Sequence, residues 1–67
     1  MKIFAERLKE LRVEKGLSTI ELGKAIGISD ATISRWENNL REPIFENVVR
    51  VAKFFGVSTD YLAGLEN

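Results

Sequence analysis

The chain has neither cysteine nor histidine in its 67 residues. Without cysteine there is no disulfide framework and no thiolate metal site. Without either residue, no ordinary base–nucleophile pair can be assembled. Neither a glycine-rich phosphate loop nor metal-ligand spacing occurs. A binding protein that needs no cofactor and no metal is therefore expected, rather than an enzyme. Excess charge of one sign is also missing, since ten Lys and Arg balance ten Asp and Glu and the isoelectric point lies near 6.2. A strong field that would draw in a polyanion is thereby excluded. Long hydrophobic runs are absent, because no stretch approaches the roughly eighteen apolar residues of a membrane span. The opening segment MKIFAERLKE carries Lys2, Glu6 and Arg7 inside any apolar run, which argues against a secretory signal. A soluble, cytoplasmic protein is expected. Repeats and low-complexity tracts are lacking too, and residues 1–67 read as one domain. That length is near the lower limit for independent folding, with about 60% of the unfolded surface buried.

What is present is helical patterning. Hydrophobic residues make up 45% of the chain, enough for a small core. The segment Ser18–Asn38 organises the rest. Ser18 is a good N-cap, and Glu21 three residues later completes a capping box. Ile20, Leu22, Ala25 and Ile26 give an apolar helical face over about two turns, residues 19–26. Gly27 is placed to end that helix in a left-handed conformation. Ile28 follows, Ser29 is a second N-cap, and Asp30 suits the positive end of a helix spanning about residues 30–38. Ile33 and Trp36 share one face of that helix, and Trp36 reads as an aromatic plug for the core. Gly23 falls where the two helices meet and leaves room for a steep crossing.

Three further helices complete an all-α, five-helix reading. Phe4, Leu8 and Leu11 mark the buried stripe of the first, roughly Phe4 to Lys15, with Gly16 as its stop. Glu6, Glu10 and Glu14 alternate with Arg7, Lys9, Arg12 and Lys15, which describes a solvated, salt-bridged face and not a carboxylate site. After the loop 39–43, in which Pro43 pushes Glu42 towards an extended conformation, a fourth helix runs from Phe45 to Phe55. Its expected core residues are Phe45, Val48, Val49, Ala52 and Phe55. Gly56 ends it, Val57 plugs the core, and Ser58 caps a fifth helix through Ala63.

The segments RLKELR (7–12), KGLS (15–18), ISDATISRWEN (28–38), REP (41–43) and GVSTDYLAG (56–64) stand in an order and spacing that resembles the phage-repressor/Cro, or Xre-like, helix-turn-helix family. The resemblance covers nearly the whole chain. It implies a lambda-repressor-like fold and a sequence-specific DNA-binding regulator, most simply a repressor. The second helix of the motif would enter the major groove, N-terminal residues foremost. The base-contacting set would then be Ser29, Asp30, Ala31, Thr32 and Arg35. Arg35 can grip guanine O6 and N7, the Ala31 methyl can pack on thymine, and Asp30 can accept from cytosine N4. Family members often carry glutamine or arginine at the position of Asp30, so its carboxylate implies selectivity at the expense of affinity, or a capping role. The phosphate-contacting set would be Thr19, Lys24, Asn38 and Arg41. The resemblance also pairs Arg12 with Glu37 as a partly buried structural ion pair. Family members often have a capping serine after the proline, where this chain has Ile44.

The implied partners are double-stranded operator DNA and a second copy of the chain in a weak homodimer, with no membrane and no small-molecule substrate. One recognition helix reads too few base pairs for useful specificity. Leu40, Ile44, Tyr61, Leu62 and Leu65 are the candidate dimer contacts. The rival reading is a protein-interaction module on the same fold, such as an antitoxin or a phage regulator that docks a partner. Charge is the discriminating feature. Residues 1–16 hold five basic side chains (Lys2, Arg7, Lys9, Arg12, Lys15) against three acidic ones (Glu6, Glu10, Glu14). Residues 17–42 hold three (Lys24, Arg35, Arg41) against four (Glu21, Asp30, Glu37, Glu42).

Overall fold

A computed structural model describes residues 1–66. Its elements in chain order are α1 (Lys2–Glu14), α2 (Thr19–Ile26), α3 (Asp30–Glu37), α4 (Phe45–Phe55) and α5 (Thr59–Ala63). The architecture is all-α, with no strand among the described residues. α1 begins two residues earlier than its apolar stripe suggests, because the Met1 carbonyl already accepts the Ala5 N–H at 3.0 Å.

One local rule closes every helix. Residues 16, 27, 39, 56 and 64 all have positive φ; four are glycines and the fifth is Asn39 at +57°. The apolar residue that follows each one donates its N–H to the carbonyl five positions back. These bonds are Leu17 to Arg12, Ile28 to Gly23, Leu40 to Arg35, Val57 to Ala52 and Leu65 to Asp60, all between 2.8 and 3.1 Å. This is the geometry by which a left-handed residue satisfies the orphan carbonyls of a helix end. Asparagine serves at position 39 because its short polar side chain tolerates that conformation. Three helix starts are side-chain capped, by Ser18, Ser29 and Ser58. α4 has no side-chain cap, as Ile44 implied.

The core gathers Phe4 and Leu8 from α1, Leu22 and Ile26 from α2, and Ile33 and Trp36 from α3. Val48, Val51 and Ala52 from α4 and Leu62 from α5 close it. Trp36 is buried and meets Phe4 edge-on, with ring centroids 5.9 Å apart and planes at 77°. Several expectations need correction. Ile20 and Ala25 are exposed; an eight-residue helix buries only the narrow stripe of Leu22, Gly23 and Ile26. Phe45 is 71% exposed, whereas Val51, which was not among the expected core residues, is fully buried. The stripe that α4 turns inward is Val48, Val51 and Ala52, and Phe45 sits one turn beyond the edge of the core. Val49 and Phe55 are half-buried, as is Leu11. Among the described residues no ion pair joins the α1 glutamates to its lysines and arginines, so that face is solvated but not salt-bridged; the two ion pairs run from the Met1 amine to Glu42 and from Arg12 to Glu37.

Leu62 is fully buried and so cannot contact a second copy. Tyr61 is half-buried beneath the Arg7 guanidinium, 4.3 Å above its ring. Leu40, Ile44 and Leu65 remain open at 77%, 63% and 77%. Leu65 and Phe45 line one shallow groove of about 310 Å³ together with Met1, Pro43 and Ala63.

Candidate nucleic-acid interface

α2 and α3 are joined by Gly27, Ile28 and Ser29, a turn short enough to force a steep crossing. Gly27 takes φ +74°, and its N–H and that of Ile28 both return to the Gly23 carbonyl at 2.8 and 2.9 Å. Gly23 is itself an ordinary helical residue, but a Cβ there would run into the backbone carbonyl of Ile28. The obstacle is thus the turn's own backbone, which cannot move aside as a flexible side chain can. From the α4 side, Arg50 donates to the Ile26 carbonyl at 3.2 Å, placing a cation at the C-terminal end of α2. Sequence inspection misses this contact, because its partners lie 24 residues apart and share no motif.

The orientation of α3 is fixed by a fork. Arg12 donates through Nε and Nη2 to the two Glu37 oxygens at 2.7 and 2.9 Å, and through Nη1 to the Leu17 carbonyl at 2.8 Å. The side chains are only 14% and 6% exposed. The bond to Glu37 raises the Arg12 pKa above its already high ordinary value, so the guanidinium is charged at any working pH. One guanidinium therefore ties the end of α1, the entry to α2 and the end of α3 together.

At about 100° per residue, α3 divides into two sectors. Ile33, Trp36, Glu37 and Thr32 lie on the inward side, and Asp30, Ala31, Ser34, Arg35 and Asn38 lie within roughly 140° of one another on the outward side. Burial follows this division: the outward five are exposed, whereas Thr32 is half-buried. Within the expected base-contacting set, Ser29 and Thr32 are already engaged. Ser29 Oγ accepts the Thr32 N–H at 3.2 Å, and the two hydroxyls are 2.9 Å apart. Ser29 supplies the cap, so Asp30 is not needed for it, and its carboxylate has no hydrogen bond among the described residues. Ala31 and Arg35 are exposed, and Arg35 likewise has no partner there.

Of the expected phosphate contacts, Lys24 and Arg41 are exposed and Thr19, the first residue of α2, is half-buried. Asn38 differs. Its Nδ2 donates to the Ser34 carbonyl at 2.8 Å and reaches Ser34 Oγ at 3.4 Å, which turns the amide back along the helix. Arg41 lines a cleft of about 330 Å³ behind α3 with Thr32, Trp36, Ile44 and Asn47. The outward position that sequence reasoning overlooked is Ser34, although its spacing four residues after Asp30 was the available signal.

Two short helices held at a fixed angle over a three-residue turn, with a polar outward face on the second, define a helix-turn-helix domain. The family model described as helix-turn-helix matches residues 8–62, and this chain belongs to that family, in its Xre-like form. It is 35% identical over 60 residues to repressor protein C2 of Salmonella phage P22, covering 90% of this chain and 28% of that protein. It is 34% identical over 55 residues to the phage CTXphi transcriptional repressor RstR of Vibrio cholerae, covering 82% of this chain and 50% of that one. It is 36% identical over 59 residues to the transcriptional activator BcrR of Enterococcus faecalis, covering 88% and 29%. The chain thus spans half or less of these relatives' length. In structure it is similar to the P22 c2 repressor solved in complex with a synthetic operator, with a TM-score of 0.88 and 32% identity over 98% of this chain and 100% of that one.

Proposed function

We propose that this chain binds double-stranded operator DNA sequence-specifically through the outward face of α3 and acts as a transcriptional repressor. The observation that carries the reading is that face itself. It presents Asp30, Ala31, Ser34 and Arg35 to solvent on a helix held by the Arg12–Glu37 fork. Its likeness to a repressor solved on its operator supports placing the face in a major groove. Arg35 donates to guanine O6 and N7, Ala31 packs on a thymine methyl, and Asp30 accepts from cytosine N4. Thr32 and Ser29 act from the edge of the face, their hydroxyls shared with each other. Arg41, Lys24 and Thr19 hold the phosphates, with the open N–H groups of α2 beside Thr19. The chemistry is binding and not catalysis. Repression is favoured over activation by the two repressors among the relatives described.

The zero net charge favours a second reading, a protein-docking module on the same fold. Selection of bound sites from random duplex DNA separates the two. A recovered palindromic consensus supports DNA recognition; no enrichment at low salt supports the docking module. On that consensus, Arg35→Ala is expected to cost about 1–3 kcal/mol and relax preference at one base pair per half-site, whereas Arg41→Ala weakens all sequences alike. Equal losses on specific and random DNA for Arg35→Ala would make it a phosphate anchor.

A further inference from the structure

α2 is slung between two arginines that come from outside it. At its entry, Arg12 of α1 donates through Nη1 to the Leu17 carbonyl at 2.8 Å. At its exit, Arg50 of α4 donates through Nη1 to the Ile26 carbonyl at 3.2 Å. The first belongs to the fork that also grips Glu37 at the far end of α3. The second holds the other end of the motif. Ile26 is the last residue of α2, and the turn that follows it has no slack. Gly27 and Ile28 both return their N–H groups to the Gly23 carbonyl, and the Ile28 carbonyl lies so close to Gly23 that a Cβ there would strike it. Whatever fixes the Ile26 carbonyl therefore also fixes Ser29 and the first turn of α3. α4 itself packs on α2 and α5, which gives that anchor a base in the rest of the fold.

We infer that Arg50 is a positioning residue for DNA recognition: by tying α2 to α4 it sets the N-terminal end of α3, while the Arg12–Glu37 fork sets the C-terminal end. This inference rests on the proposal that α3 reads the major groove, and it adds a division of labour within that helix. Anchors at opposite ends allow the two ends to be loosened separately. Asp30 and Ala31 lie beside the turn and depend on Arg50. Arg35 lies two residues before Glu37 and depends on the fork. Small displacements matter here, because a positioned contact tolerates only roughly 0.5 Å of error before it weakens. Arg50 makes a single bond and is exposed, so the expected effect is that of one hydrogen bond. A single donor also has a substitute: lysine carries one on a stem of similar reach, whereas the two-pronged grip of Arg12 on Glu37 has none.

The test is bound-site selection with the wild type, Arg50→Met and Arg50→Lys, each first confirmed by a circular-dichroism melt to be folded at the assay temperature. Asp30→Ala and Ala31→Val mark the base pairs at the N-terminal end of α3, and Arg35→Ala marks the pair at the other. Arg50→Met keeps the aliphatic stem and loses the donor. It is expected to lose about two- to tenfold of the preference at the N-terminal pairs, as suits a single hydrogen bond, and to keep the preference at the Arg35 pair. The salt slope of its binding to random DNA should match the wild type, and Arg50→Lys should restore the profile. An Arg50→Met profile that superimposes on the wild type overturns the inference, as does equal loss at both ends of α3. An Arg50→Lys profile as relaxed as that of Arg50→Met overturns it as well, since the donor would then not be what matters. Equal weakening on all sequences, with a salt slope lower by about one per bound copy, overturns it by making Arg50 a phosphate anchor. Failure of the wild type itself to select any sequence overturns the underlying DNA reading instead.

Discussion

Arg12 and Glu37 are where one side chain decides the most. The three hydrogen bonds of the guanidinium satisfy nearly all that burial takes from it, and the carboxylate is spanned by both prongs. Removing either partner strands a charge that water scarcely reaches. A loss of about 3 kcal/mol is expected for Arg12→Ala or Glu37→Ala, which in a domain of this size lowers Tm by roughly 12–24 °C. Differential scanning calorimetry checks this, and a shift of a degree or two would mean that solvent screens the pair. Because the Arg12 pKa is raised, its contribution is present throughout the working range and is lost only as pH climbs through that elevated value. The pairing was legible in the sequence solely through the family resemblance, since nothing local connects residues 25 positions apart. Ser34 and the Arg50 cap were not legible, because each depends on which way a helix is rolled against its neighbours.

Helices, in contrast, were legible almost to the residue wherever the chemistry is local. Ser18, Ser29 and Ser58 start helices, and positive-φ residues stop them, because both devices act within six residues. Which apolar residue goes inside was less legible. Ile20 carries the right spacing and the wrong rotation, Phe45 lies on the right face but at the helix end beyond the core, and a short helix gives periodicity too few turns to settle the matter. The capping box on α2 has its own pH signature. The Ser18 backbone N–H, donated to Glu21 at 2.8 Å, lowers the Glu21 pKa, with the Ser18 hydroxyl and Lys24 assisting. A depressed carboxylate stabilises the fold above its unfolded pKa, about 4.3, and that contribution is lost as pH falls through the lower folded value. Glu21→Ala should therefore melt below the wild type at pH 7, and the gap should narrow towards pH 2. A gap that stays constant across that range would assign the effect to packing.

At the scale of the molecule, three large apolar side chains, Leu40, Ile44 and Leu65, stand open to solvent. Leu40 and Leu65 occupy the place where the other three helix stops tuck Leu17, Ile28 and Val57 against the core, yet both are 77% exposed. With Ile44 they are the contacts proposed for an isologous dimer, now without Leu62 and with Tyr61 largely taken up by Arg7. So few side chains make a small interface, and the free dimer is expected to be weak and to assemble on its palindromic site. Sedimentation with and without operator tests this: a predominantly monomeric free chain and a 2:1 complex are expected, and Leu65→Glu should reduce the complex to 1:1. A 1:1 wild-type complex on a palindrome would sink the dimer and leave DNA binding untouched.

The clasp between the two ends of the fold has a kinetic corollary. Each helix stop closes within six residues, so its loop entropy is slight and those joints can form early. Arg7, by contrast, reaches across 54 residues to the Tyr61 carbonyl and on to Glu66, while Gly64 seats directly on Ile3. Nothing local helps that closure, and α5 has only five residues of its own. Docking of α5 on α1 is thus expected to follow the folding barrier, with Arg7→Ala accelerating unfolding and barely altering the refolding limb of the chevron. A domain built this way unfastens from the clasp, and its last helix is the first to let go.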